Sequence, residues 1–228
     1  MSTNTGLLEV IALNAGDAER AQEGGADRLE LVADMAQDGL TPSPQVVKEV
    51  LAATDLPVRI MLRDNGSFAP KDISRLRSDA AKLVELGGRE FVFGFLDAER
   101  DIDVEACRVL ADELEGLKWT FHRAIDRARS PLRAYGRLAD LGCDTVLAAG
   151  HPDGVASGLT VLQELVRREG PELLVGGGLR PGQVHLLRAG GVRSFHVGSA
   201  VRPGGWTADL DVEAVRKWVE LVKAPSLR

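Results

Sequence analysis

Two glutamates stand where strand-like segments rarely tolerate charge. Glu9 lies in LLEVI and Glu30 in RLELV, both inside apolar runs. A carboxylate in such a run faces a core or a cavity and is costly unless paired. Arg28 and Arg59 are candidate ion-pair partners, which would make one glutamate structural. Two of them on neighbouring strands point to a site. Burial and a like-charged neighbour both raise one carboxyl pKa, which suits proton transfer.

FHRAID (121–126) supplies the next group. His122 ends an apolar run, and a strand-end histidine exchanges protons near neutral pH. Asp126 is placed to fix its tautomer. Arg123 is placed to bind an anion or to pair with Asp126. The alternative is a histidine that caps a strand and bonds to backbone. His196, in SFHVGSA, ends the last run. Glycines then cluster in VGGGLRPGQ (175–183) and VGSA (197–200). Main-chain N–H groups approach an anion closely only where side chains are small. Gly177, Gly178, Gly198 and Ser199 therefore form a candidate anion cradle, with tight turning as the plainer reading of the glycines. Arg63, before DNGSF, is an arginine able to hold a carboxylate or phosphate bidentately. No lysine ends a strand, which disfavours Schiff-base chemistry. No H-x-H, H-E-x-x-H or cysteine cluster is present, so no metal ligands are expected.

These residues need positioning elements. Apolar runs at 7–13, 28–31, 58–62, 90–95, 119–122, 145–149, 173–177 and 194–198 read as strands. Helical patterns occupy 17–23, 44–53, 72–86, 104–114, 131–141, 159–168, 181–188 and about 212–222. Strict alternation implies parallel strands joined by crossover helices. EGGADRLEL, ELGGREFVF, DLGCDTVL and RAGGVRSF repeat one design: a helix, a glycine turn, then an even-numbered strand. Such a quasi-repeat suits a closed barrel. The rival, an open doubly wound sheet, needs a Gly-rich fingerprint after its first strand, and ALNAGDAE has one glycine. The expectation is a single (β/α)8 TIM barrel over 1–228, with chemistry at the C-terminal strand ends. The longest irregular stretch expected is 63–71.

Hydrophobic residues are 44% of the chain and aromatics 4%, so the core is aliphatic, as a doubly covered parallel sheet requires. A net charge of −6, with no basic block, argues against nucleic acid or anionic membranes as partners. No apolar stretch reaches membrane-span length and the polar start is no signal peptide, so a cytoplasmic protein is expected. Cys107 and Cys143 are far apart and read as reduced, buried fillers.

EVIALN, GGADRLEL, DGLTPS (38–43), TFHRAID (120–126), VLAAG (146–150), VGGGL and FHVGSA occur in the order seen in the CutC family. The chain resembles that family from about residue 7 to 200. The resemblance implies a (β/α) barrel, a cytoplasmic dimer or larger homo-oligomer, and copper as the associated metal. It also implies copper-binding cysteines just after the strand-one and strand-two glutamates, where this chain has Ile11 and Val32. The family's R-P-R-G-G loop is Arg63, Asp64, Asn65, Gly66 here, and its Thr-Ser after strand six is Ala148-Ala149. Soft Cu(I) wants thiolate or thioether ligands. Two functions stay open: a CutC-like role in copper tolerance, or an enzyme using Glu9, Glu30 and His122 as acid and base on a small anionic metabolite. A non-catalytic scaffold is a third reading.

Overall fold

The strand runs are short, four to six residues each, with an apolar outer face and an inner face that also carries charge. In the computed structural model, which describes residues 6–224, they form β1 (Leu7–Ala12), β2 (Arg28–Leu31), β3 (Val58–Met61), β4 (Glu90–Phe93), β5 (Lys118–Phe121), β6 (Thr145–Ala148), β7 (Glu172–Val175) and β8 (Ser194–Val197). The helices are α1 (Ala15–Glu23), α2 (Pro44–Ala53), α3 (Ile73–Glu85), α4 (Val104–Glu113), α5 (Pro131–Leu138), α6 (Val155–Leu165), α7 (Pro181–Ala189) and α8 (Val212–Lys223). Strands pair in chain order and β8 pairs back to β1 in parallel. That closure makes the fold a (β/α)8 barrel and excludes the open sheet.

Alternation sorts the side chains. Leu8, Val10, Leu29, Leu31, Ile60 and Phe195 join the main core between strands and helices. Their neighbours point into the barrel, where Ile11, Val32, Met61 and Val92 form a separate small cluster. Each buried aliphatic side chain contributes roughly 1.5–3 kcal/mol. Asn14, Ser43, Asp72, Asp103 and Asp211 accept N–H bonds at the starts of α1 to α4 and α8. Each such cap is worth about 1 kcal/mol.

The lower end of the barrel is closed by charge. Arg59, buried inside, bonds Glu90 at 3.0 Å and Asp144 at 2.6 Å, and also the Thr120 hydroxyl. One side chain thus ties β3 to β4, β5 and the start of β6.

The repeated glycine turns appear in the backbone. Gly25, Gly87, Gly142 and Gly191 all have φ between 75° and 110°, a region that L side chains avoid. Two expectations need correction. Helix α6 begins at Val155 rather than 159, because Gly158 lies inside it instead of breaking it. A Cβ at Gly158 would sit 1.9 Å from the Ala149 carbonyl oxygen, so glycine is there for close packing. Segment 63–71 is not the longest irregular stretch either; 198–211 is longer, with only a 3-10 turn at Ser199–Val201. No helix among the described residues is long and apolar enough to cross a membrane.

Candidate functional site

Strand register assembles the first wall. Glu9 lies beside Arg28 across β1–β2 and beside His196 across β1–β8. Its carboxylate accepts from Arg28 Nε at 2.5 Å and contacts His196 Nδ1 at 2.8 Å. His196 Nε2 lies 3.8 Å from Glu30 Oε2. The result is a buried row, Arg28–Glu9–His196–Glu30. Burial pushes the Glu9 carboxyl up, but Arg28 and His196 outweigh it and hold it down at about 2. Burial pushes Glu30 up to about 7, opposed by His196 and reinforced by Glu9. Burial pulls the His196 imidazole down, but Glu30 and Glu9 outweigh it and raise its pKa. Glu30 Oε1 is buried and has no partner among the described residues. His196, a candidate anion-binding residue at the end of the last run, links the two glutamates. Its ring needs room: a Cβ at Gly176 would lie 2.8 Å from His196 Cβ.

His122 forms another wall. Its Nδ1 accepts from the Ala124 N–H at 3.2 Å, so the ring proton belongs on Nε2. Nε2 is buried and unpartnered among the described residues. A Cβ at Gly94 would come within 2.9 Å of Nδ1, and Phe68 packs edge-on at 5.6 Å. Burial, with the Arg63 charge, pulls the His122 pKa down to about 3. The imidazole is therefore neutral and fixed in one tautomer.

Two expected partners work differently. Asp126 does not orient His122. Its oxygens accept from Ala149 N–H, Gly150 N–H and Arg123 Nε, pinning the loop after β5 to the loop after β6. Arg63 donates to the carbonyls of Gln37, Asp38, Gly39, Gly66 and Ser67. It lies over Phe68 at 5.0 Å and is 3% exposed. It staples two loops together rather than presenting a free fork to an anion.

The cradle residues do meet on the pocket wall, with different jobs. Gly177 has φ +94°, and a Cβ there would hit the Arg123 guanidinium at 2.6 Å. A Cβ at Gly198 would hit Trp206 at 2.5 Å and Ile11 at 2.7 Å. These two glycines are small so that neighbours can pack. Gly178, at φ +70°, faces open space. Arg123 spends Nε on Asp126 and Nη2 on the carbonyls of His151 and Pro152, while Nη1 makes no hydrogen bond among the described residues. The segment after β8 opens with a 3-10 turn, Ser199–Val201, and Ser199 begins it.

The pocket encloses about 390 Å³. Glu30, His122, His196, Arg123, Gly178 and Ser199 give it polar walls. Met35, Met61, Phe68 and Trp206, which sequence reasoning missed, supply the apolar ones. A tryptophan in a Gly-Gly-Trp loop, in a chain with few aromatics, was the available signal. Arg202, 2% exposed, holds that loop by a two-pronged bond to Asp17 at 2.6 and 3.1 Å, and its guanidinium lies 5.7 Å from the Trp206 ring.

Residues 6–201 match the CutC family. The chain belongs to the CutC family. A CutC family protein of Xanthomonas campestris pv. campestris (strain 8004) is 34% identical over 236 positions, covering 95% of this chain and 98% of that one. One from Enterobacter sp. (strain 638) is 32% identical over 205, covering 88% and 81%. The crystal structure of a CutC protein from Streptococcus agalactiae superposes with a TM-score of 0.78 at 28% identity, over 85% of this chain and 98% of that one. Phosphoribosyl anthranilate isomerase from Thermococcus kodakaraensis, at 18% identity and a TM-score of 0.66, shares the fold, covering 96% of this chain and all of that one (100%).

The name of the Streptococcus CutC protein ties it to copper homeostasis. Among the described residues, a donor set that could hold a metal ion is Glu9, Glu30 and His196, whose ligand atoms lie within 4.8 Å of one another. Both Glu9 oxygens are already engaged, and Arg28 brings positive charge to the same spot. Two carboxylates and one imidazole beside an arginine do not suit soft Cu(I). Cys107 is buried on α4 and Cys143 precedes β6 at the lower end, and burial pushes both thiols up to about 12. Glu9, Glu30, His196 and the two cysteines do not fit a Cu(I) centre.

Proposed function

We propose that this CutC-family member binds a small anionic metabolite in the barrel mouth and moves a proton on it. The single observation behind this is one metabolite-sized pocket lined by a buried carboxyl and a buried imidazole, each with one atom, Glu30 Oε1 and His122 Nε2, unpartnered among the described residues. A buried polar group left without a partner costs about 1–3 kcal/mol, so a ligand that satisfies both gains binding energy there. Glu30 acts as the general base. His196, backed by Glu9, carries the charge that develops beside it. His122 donates from Nε2. Arg123 Nη1, Gly178 and Ser199 receive the anion.

Copper homeostasis enters through the pocket's ligand, not through a Cu(I) site in the chain. In this reading the protein works in the cytoplasm as a homo-oligomer.

The test is thermal unfolding with inorganic phosphate, sulfate and ribose 5-phosphate at millimolar concentration. A ligand at 100 times its Kd stabilises by about 2.7 kcal/mol, or several degrees for a chain of this size. The gain is expected to disappear in Gly178→Val and in Arg123→Ala. No gain with any anion, or a gain that survives both changes, would overturn the assignment.

A further inference from the structure

Glu30 sits on β2 and His122 just beyond β5, so base and donor enter the pocket from different sides of the barrel. The His122 ring is locked: Ala124 N–H occupies Nδ1, Gly94 lies against it, and Phe68 packs at its edge. It is a fixed N–H donor with no protein acceptor among the described residues. Burial and Arg63 keep it neutral, so it does not protonate a substrate outright. A neutral donor aimed at one spot stabilises an oxygen that becomes negative there. Paired with a carboxylate base, such an imidazole is an arrangement for enolisation.

We propose that the pocket catalyses reversible removal of a C–H proton next to a carbonyl, with Glu30 taking the proton and His122 Nε2–H holding the carbonyl oxygen. This rests on the proton-transfer function proposed above and names its substrate class. The substrate is a small aldehyde or ketone carrying an oxyanion. Glu30 carboxylate forms an O–H bond as the C–H bond breaks. The freed electron pair makes a C–C double bond, and the carbonyl π pair moves onto oxygen, against Nε2–H. Return of the proton from Glu30 to the same carbon completes an exchange; where that carbon carries a hydroxyl, return to the former carbonyl carbon, with the hydroxyl proton passing to the former carbonyl oxygen, completes an isomerisation. No electrons leave or enter. The apolar side chains of Met61 and Ile11 line the same pocket as Glu30. Arg123 Nη1 and Gly178 take the oxyanion on the opposite rim.

The experiment follows proton NMR signals in D2O with the full-length protein and three probes: dihydroxyacetone phosphate, ribulose 5-phosphate and 2-oxoglutarate. Loss of a C–H signal next to the carbonyl of at least one probe is expected. Glu30→Gln should slow it by about 1,000-fold, the general-base contribution, and His122→Ala by about 100-fold, the loss of one oxyanion donor. Glu30→Asp, which keeps the carboxyl but shortens its reach, covers the case that the glutamine variant fails to fold, and should cost at least about tenfold. A probe that stabilises the protein without exchanging overturns this inference while leaving the anion pocket and proton transfer to O–H or N–H bonds. Exchange indifferent to His122→Ala overturns the donor role. No binding by any probe overturns both this inference and the function beneath it.

Discussion

Glu30 is a carboxyl whose ionisation is held back by where it sits. Glu9, one strand away, shows the reverse, because Arg28 is on it. Their opposite shifts give stability a defined pH shape. Glu9 holds its proton less tightly folded than unfolded, so its contribution is present above about pH 4.5 and is lost as pH falls toward 2. Glu30 and His196 hold theirs more tightly when folded. The Glu30 contribution is full below pH 4.5 and is lost as pH rises to about 7, and that of His196 is lost above 6.5. Urea midpoints at pH 3, 5 and 8 should therefore be highest at 5. Glu30→Gln should remove on the order of 2 kcal/mol of the decline from pH 5 to 8 and leave the acid limb intact. A decline parallel to the native one would show that Glu30 ionises normally. At this scale the sequence is partly legible. A charge inside an apolar run announces itself, so Glu9 and Glu30 stand out. The join through His196 does not, because it depends on β8 closing against β1. Arg63 misleads for a related reason: the carbonyls it gathers belong to loop backbone and leave no mark on residue type.

At the scale of elements, helix α6 shows how a small side chain sets a distance. Gly158 lets that helix sit on the loop after β6, against the Ala149 carbonyl. That loop carries the Ala149 and Gly150 N–H groups that Asp126 grips, and so it bears on Arg123. Gly158→Ala should gain about 1 kcal/mol of helix propensity and lose about 3 kcal/mol or more to overpacking against backbone. Gly136→Ala, on the exposed side of α5 where a new Cβ meets nothing, should instead stabilise by about 0.5–1 kcal/mol. Urea denaturation of the two variants reads this contrast directly; equal effects would mean that α6 can slide. The alternation of strands and helices was plain from periodicity, and the four glycine turns from their recurrence. The start of α6 was not, because an interior glycine looks like a stop until its neighbour is known. The shape of 198–211 was hidden too, since Arg202 organises it through Asp17, far away in the chain.

For the whole molecule, both thiols are buried away from the pocket. The native protein should react with a thiol reagent only as fast as it opens, and should release two thiols per chain in urea. Competition with a Cu(I) chelator should leave no stoichiometric copper on the native protein; one tightly held ion per chain would refute the indirect role in copper homeostasis. The closed order of eight strands followed from the chain's regularity, whereas the charged barrel floor needed the structure, because Arg59 pairs with Glu90 and Asp144 rather than with a glutamate of β1 or β2. That floor has a kinetic corollary. Arg59 and its partners fill the barrel floor, so a molecule held at the barrel mouth finds no way out through that end among the described residues. A product would block the next molecule until it departs, giving competitive product inhibition.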